Sequence, residues 1–530
     1  MIGGAVALSR SLKSALPLVL ASFSVISVLG QTSPPSVSQV LIFSGTIPSM
    51  TVPVFNSSGV QTGTVTLHNA VPNIFSGAGN LASVDTNLNN TANYTSLQSL
   101  VSLTQALNAG IATSLSVIPI SSPASGVIFK KDPATGGELP ASSTLGPIFT
   151  ERAETIGKHR FYIGFSNQDY HFTSFNGRSL NNLTMLYAGG EPTKLSAGTT
   201  PLTTYPATFN LGVDIRLSQD IAFLTYGVTN RFDLSVGLPA VHAAVAARTY
   251  NGIVWDGGGT GTQSSSNPNC WCANTLNPGN PLLELPDVGN SHLAKTGFGD
   301  LIVRGKGTIY ESPGAVIALG ADVRFPTGDA KNYLGAGAAS FKPFMAVSFY
   351  SKPFSNGLVL SPHATLGYQY IGKSILGGAL VGTPQQVTTS YGSVTYQGAP
   401  FTQTKDFLPD VLSWSVGAEL ALGRHSTVAV DVLGNQIGLI HGMPDTKTNS
   451  DAKGFMPCGP GLMPNCSTSL QPVPGLVSAG RVMIGEYSGA FGYKARVVGN
   501  LVVMFNALVR FDNNSLVSRF VPLYGIGYSF

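Results

Sequence analysis

The chain has 530 residues, of which only 10% are charged and 62 are glycine, and its mean hydropathy is +0.20. Lys and Arg outnumber Asp and Glu by only 29 to 25, which gives no basic footprint for nucleic acid, and beyond the N-terminus no run of about 20 apolar residues offers a helical membrane span. An apolar chain without apolar helices fits a transmembrane β-barrel, whose hydrophobic side chains are spread over every second position.

At the N-terminus, Arg10 and Lys13 precede an apolar run over 15–29, and Val28 and Gly30 stand just ahead of Gln31. This arrangement predicts a signal peptide over residues 1–30, removed on export. Residues 31–123 form an extension rich in Ser, Thr and Asn, in which Asp85 is the only charged side chain. Over 31–79, short β-prone runs are broken by Pro35, Pro48, Pro53 and Pro72, leaving a small β-rich extension or an unstructured one. Over 96–117, Leu97, Leu100, Val101, Leu103 and Leu107 recur near helical spacing, so a short amphipathic helix is expected just ahead of the barrel. The pattern leaves open a plug inside the lumen and a helix lying in the periplasm.

From residue 124 to 530 the chain reads as the barrel itself. Segments 124–132 and 146–153 flank a Pro/Gly loop as a first hairpin, and 160–172 follows with Phe161, Ile163 and Phe165 on one face. Phe209, Leu211, Val213, Ile215 and Leu217 then alternate with polar residues, and the turn at 228–231 reverses the chain into Phe232, Leu234, Val236 and Leu238. The same period of two recurs over 301–309 and 317–325, then over 340–351 with 358–371, 411–422 with 427–434, 485–497 with 501–511, and the closing stretch 518–530. The expected fold is all-β, an antiparallel up-and-down transmembrane barrel of about 14 strands, with about 12 or 16 if hairpins are merged or split. Tight turns at 228–231, 312–314, 423–425 and 498–500 alternate with long loops at 251–295, 372–408 and 438–478. Short turns belong on the periplasmic side of such barrels and long loops outside.

The polar alternates Asp214, Arg216, Asp300, Arg304, Lys306, Asp322, Arg324, Glu419, Asp431, Arg510 and Arg519 are assigned to the lumen, because a charge at the lipid midplane costs about 2–4 kcal/mol. Opposite signs on neighbouring strands predict a cross-strand network that fixes the wall and wets the lumen. The eight histidines are scattered, and His363 and His425 lack metal-ligand spacing to Cys, Asp or Glu. No nucleophile elbow, P-loop or dinucleotide fingerprint occurs, so neither enzyme chemistry nor a cofactor or metal is expected. Four cysteines fall in two long loops, Cys270 with Cys272 and Cys458 with Cys466. Four cysteines allow three pairings. Cys458 with Cys466 is the simplest, while a Cys270–Cys272 ring would be strained, which keeps cross-loop pairing open.

The final stretch places Phe520, Tyr524, Ile526, Tyr528 and the terminal Phe530 on one face. It resembles the closing strand of bacterial outer-membrane barrels, which implies an assembly signal at Tyr528 and Phe530 read by the barrel-assembly machinery. The run GFGDLIVRGKGTIYESPGAVIALGADVRFPTGD over 297–329, SPHATLGYQY over 361–370 and GPIFTERAETIGKHRFYIGF over 146–165 resemble the outer-membrane proteins grouped under a meta-pathway of phenol degradation. More distantly they are similar to the fatty-acid and toluene channel superfamily. The resemblance covers 124–530. It implies an integral outer-membrane protein of a Gram-negative cell, bathed in membrane lipid and lipopolysaccharide. Such a protein would carry small hydrophobic or aromatic compounds passively past an N-terminal hatch, and a general porin or structural barrel is the alternative.

Overall fold

In the computed structural model, twelve antiparallel strands close into a barrel. The residues described are 50–55, 61–67, 91–118, 129–131, 138–140, 144–189, 205–255, 281–351, 354–355, 358–389, 392–423, 425–448 and 476–530. The strands are β1 Phe161–Phe172, β2 Tyr205–Thr229, β3 Phe232–Trp255, β4 Leu301–Glu311, β5 Ala315–Phe325 and β6 Ser340–Phe349, followed by β7 Val359–Ile371, β8 Val411–Ala421, β9 Ser426–Ile437, β10 Ile484–Val498, β11 Leu501–Arg510 and β12 Phe520–Ser529. Each pairs with its sequence neighbour, and β12 returns to β1 with Ile526 opposite Phe165. The ring therefore has no free edge, which a lipid-facing sheet requires, because hydrocarbon offers no partner for an unpaired N–H or C=O.

The period of two decides which face meets which solvent. On β12, Tyr524, Ile526 and Tyr528 point outward while Val521, Leu523 and Ser529 are buried. Leu319 on β5, Val416 on β8, Phe491 on β10 and Phe505 on β11 continue the outward apolar surface, each about half exposed. Aromatic side chains mark both its ends. Tyr310, Phe349, Tyr528 and Phe530 lie toward the rim of short turns, and Phe325, Phe341, Tyr370 and Phe520 toward the rim of long loops. An apolar band between two aromatic girdles is the exterior of a transmembrane barrel.

The strand count corrects the expected 14. Twelve of the predicted strands occur, and the two at 124–132 and 146–153 do not join the ring. Phe129–Lys131 instead pairs with Glu138–Pro140 in a small separate ladder, and 144–157 lies inside the lumen without regular structure. Of the extension, Met50–Phe55 and Gln61–Leu67 form a two-stranded ladder. The signal-peptide residues and all four cysteines lie outside the described residues.

Strands β2 and β3 run to 25 and 24 residues, well past their neighbours. Toward the loop rim they pair with Leu183–Gly189 and Pro281–Phe298, which flank them as a four-stranded projection. Here the register expected for β2 is reversed. Leu211, Val213, Ile215 and Leu217 face inward and join one buried cluster with Leu103, Leu107 and Phe175. Asp214 and Arg216 face out, 3.0 Å apart, with His171 3.1 Å from Asp214. On the outer face of β1 and β2, the apolar Phe161, Ile163, Phe165 and Leu224 give way toward the loop rim to Asn167, Asp169, His171, Asp214 and Arg216. Charges on the outside carry no lipid penalty where the strand has left the apolar band.

Candidate functional site

Two internal elements occupy the lumen. The first is the arch 144–157, which precedes β1 and whose backbone is held by side chains of the wall. Near the turn rim the Leu145 N–H donates to Thr427 Oγ1 at 2.9 Å and the Gly146 N–H to Glu419 Oε2 at 2.9 Å. At mid-barrel, Phe149 and Thr150 both donate to Asp431 Oδ2, at 2.8 and 3.1 Å. The chain then descends, with Ala153 N–H on Ser348 Oγ at 3.0 Å and Ile156 N–H on Asp233 Oδ2 at 2.8 Å. Wall donors satisfy its carbonyls in turn, Lys494 reaching Pro147 at 2.6 Å, Lys306 reaching Arg152 at 2.8 Å and Thr308 reaching Ala153 at 2.9 Å. An irregular buried backbone must find such partners group by group, and here the barrel wall supplies them.

The arch side chains complete the charge pairing. Arg152, fully buried, meets Glu419 at 3.0 Å, and Glu151 bridges Arg304 at 2.5 Å and Lys306 at 2.8 Å. His363 sits between Asp431 at 2.9 Å and Glu419 at 3.6 Å. Ile148 lies against Gly492 of β10, where even a single Cβ would come within 2.7 Å of the isoleucine Cδ1.

The second element is the helix α1, Thr91–Val117. Leu103 and Leu107 are buried, together with Ala106, Ile111 and Ala112. The side chains of Leu97, Leu100 and Val101 lie outside the described residues. Gly110 permits close approach, since a Cβ there would stand 3.2 Å from both Leu516 Cδ1 and Met443 Cε. The Tyr333 hydroxyl, from the β5–β6 loop, donates to Asn108. The unsatisfied carbonyls of the helix end point into the lumen. Arg324 donates to Leu115 O at 3.1 Å and to Ile118 O at 3.3 Å, and Gln369 donates to Ser116 O at 3.1 Å. A cation at this end also meets the negative pole of the helix dipole.

Between the helix end above and the arch apex below lies a cavity of about 160 Å³. Its aromatic and apolar lining includes Phe149, Tyr170, Phe172, Phe344 and Leu508, and its charged lining includes Glu151, Arg304, Asp322, Arg324, Lys342 and Arg510. The Tyr170 and Phe172 rings stack with centroids 6.0 Å apart.

Of the residues assigned to the lumen, Arg304, Lys306, Asp322, Arg324, Glu419 and Asp431 are there. Arg304 clasps Asp322 of the next strand with two bonds, at 2.6 and 2.8 Å. Arg510 pairs with Glu486 at 3.1 Å and Asp512 at 3.0 Å near the loop rim. Asp300 instead pins the β5–β6 loop, accepting from Gly328 at 3.0 Å and Ala336 at 2.8 Å. Asp214 and Arg216 are outside the barrel, as described above, and Arg519 is exposed at the rim, donating to Asp512 O at 2.8 Å. Glu151, Arg152, Asp233, Lys342, Glu486 and Lys494 were not anticipated. Lys342 and Lys494 stand at inward alternates of correctly placed strands, so the same rule that selected Lys306 would have found them. Tyr528 and Phe530 lie on the outer face, ring centroids 4.7 Å apart, and the Phe530 N–H extends the final ladder onto Phe161 O at 2.8 Å. Among the described residues no three His, Cys, Asp or Glu side chains come together as metal ligands.

Residues 224–376 match the family described as "Putative MetA-pathway of phenol degradation"; the sequence runs over 297–329 and 361–370 fall inside that match and the run over 146–165 lies outside it. No curated protein matches the chain. Among solved structures, the chain is similar to an outer-membrane channel from Pseudomonas putida F1, at 8% identity and a TM-score of 0.35, over 71% of this chain and 98% of that one. It is also similar to the CymD monoaromatic hydrocarbon channel, at 8% identity and a TM-score of 0.26, over 70% and 88%. A Pseudomonas aeruginosa FadL homologue aligns at 10% identity and a TM-score of 0.24, over 77% and 96%.

Proposed function

We propose that this chain is a passive outer-membrane channel for small hydrophobic or aromatic compounds, closed in the conformation described by the arch and by helix α1. The observation that carries this reading is the cavity between two internal elements, within a wall whose exterior is apolar. The arch is joined to the wall through hydrogen bonds and ion pairs and the helix through hydrogen bonds and apolar packing, so their release needs no covalent step. A solute entering from the loop rim would pass the helix end, rest against Tyr170, Phe172 and Phe344, and leave past the arch. Transit of this kind uses the solute's own gradient and no catalytic group. A general porin is the competing reading, favoured by the charged wall at Arg304, Asp322 and Arg324.

The test is planar-bilayer conductance of the refolded full-length protein beside a variant that lacks residues 31–122 and carries Asp431→Ala to release the arch, followed by liposome entry of neutral aromatic solutes. A nearly silent full-length protein whose altered form conducts, and admits aromatics faster than sugars of similar size, supports the proposal. Large steady currents from the full-length protein would replace it with a general porin.

A further inference from the structure

The cavity carries more positive charge than its own carboxylates neutralise. Glu151 uses its two oxygens on Arg304 and Lys306, Asp322 uses both of its oxygens on Arg304, and Glu486 is taken by Arg510. Arg324 spends N–H groups on the neutral carbonyls of Leu115 and Ile118. Among the described residues, Lys342 has no carboxylate within ion-pair distance. The wall therefore presents two cations to the cavity, Lys342 and Arg324, and among the described residues neither has a carboxylate within ion-pair distance, although the Asp322 charge acts on both.

Their placement is set by strand register. Lys342 stands opposite Asp322, and Ser340 opposite Arg324, on the paired inward faces of β6 and β5. The two cations are thus diagonal neighbours, with a separation of about 7–8 Å between such positions, which long side chains close easily around one small anionic group. Ser340 Oγ accepts the Gln369 amide at 3.0 Å, which leaves its own proton to donate. Gly367 clears the lysine's path, because a Cβ at that position would approach Lys342 Cε to 2.9 Å. Phe149, Tyr170, Phe172 and Leu508 also line the cavity, beside the paired Arg510 and Glu486.

We infer that Lys342, Arg324 and Ser340 form the anion-holding end of a ligand site whose body is the aromatic wall, and that the compounds it selects are small aromatic monocarboxylates. This inference deepens the proposed function and rests on it for the direction of transit, while binding itself can be read without transit. A carboxylate between an ammonium and a guanidinium gains charge-assisted hydrogen bonds that a neutral isostere does not, and the ring replaces water against Tyr170 and Phe172.

The experiment is calorimetric titration of the full-length protein in detergent with benzoate and with its neutral isostere benzamide, for the wild type and for Lys342→Gln, Lys342→Arg and Gly367→Ala. Retained folding is checked by heat-dependent gel mobility. The expected result is a preference for benzoate of about tenfold or more, abolished by Lys342→Gln, kept by Lys342→Arg, and weakened by Gly367→Ala through the crowded lysine. Equal affinity for the two compounds, no benzoate binding, or a preference that survives Lys342→Gln would overturn the site. Liposome flux separates the two readings. Benzoate binding without flux of any solute removes the channel and keeps the site, whereas flux of neutral aromatics without benzoate binding removes the site and keeps the channel.

Discussion

Asp431 holds the arch at Phe149: its Oδ2 accepts the Phe149 amide at 2.8 Å and shares itself with Thr150 at 3.1 Å, while Oδ1 meets His363 at 2.9 Å. One buried carboxylate thereby joins three segments of chain, β9, β7 and the arch apex. Removing it by Asp431→Ala leaves two amides without an acceptor, at about 1–3 kcal/mol for each one that stays buried. The expected outcome is a higher open probability in bilayer recordings together with a lower unfolding temperature in heat-modified gels. Asp431→Asn, which keeps a carbonyl acceptor, should fall between the two. An Asp431→Ala protein as silent and as stable as the wild type would mean that the arch does not depend on this latch.

The ion pair of Arg152 and Glu419 gives a second, separable measure of the same closure. Both side chains are nearly inaccessible, and deleting one partner of a buried pair costs about 3–5 kcal/mol, because the other charge is left uncompensated. Arg152→Met alone should therefore destabilise strongly. Adding Glu419→Gln removes the orphaned charge and retains an acceptor for Gly146, so the double variant should recover part of the loss. Chemical-denaturation midpoints for the two single variants and the double variant measure this coupling directly, and strict additivity would count against it.

Why the strands were readable and the arch was not follows from where each finds its partners. A barrel strand such as β5 states its own orientation, since Ile317, Leu319, Ala321 and Val323 alternate with Asp322 and Arg324 whatever lies next to it. The arch has no period, and its contacts lie far along the chain, with Phe149 bonded 282 positions away. Its residues Pro147, Ile148 and Phe149 imitate a short apolar strand, and only the space left by Gly492 reveals where Ile148 belongs. The misplacement of Asp214 and Arg216 has a different cause. The rule that charges turn inward assumes lipid on the other side, and β2 outlasts the apolar band. Its apolar face was needed inside, against the helix cluster.

Acid should loosen the loop between β9 and β10 through Asp410. Burial pushes this carboxyl up, but hydrogen bonds from the Tyr368 hydroxyl and from the amides of His441 and Ile440 outweigh it and hold the group below the ordinary carboxylate range. A folded value lower than the unfolded one contributes stability that is fully present above the unfolded value, about pH 4, and is lost as pH falls through the folded value. Amide exchange at Ile440 and His441, measured across that acidic window, should show protection relative to neighbouring amides disappearing as the pH drops. In Asp410→Asn the acid-dependent loss should be absent.

The outer surface makes the last prediction, and it turns on the two residues whose side was misjudged. If the apolar band ends on β2 below Asp214, then Arg216→Glu changes only a wet surface pair, and surface substitutions of this kind stay within about 0.5 kcal/mol. Leu319→Arg places a charge on the outward apolar face of β5 and should cost about 2–4 kcal/mol near the bilayer midplane. The comparison is made in lipid bilayers rather than detergent, by urea-dependent folding of both variants, because micelles adapt around a charge that a bilayer cannot. A large loss from Arg216→Glu would place the membrane boundary nearer the loop rim than the pattern of exposed side chains indicates. A negligible loss from Leu319→Arg would mean that this face of the barrel is covered by something other than lipid.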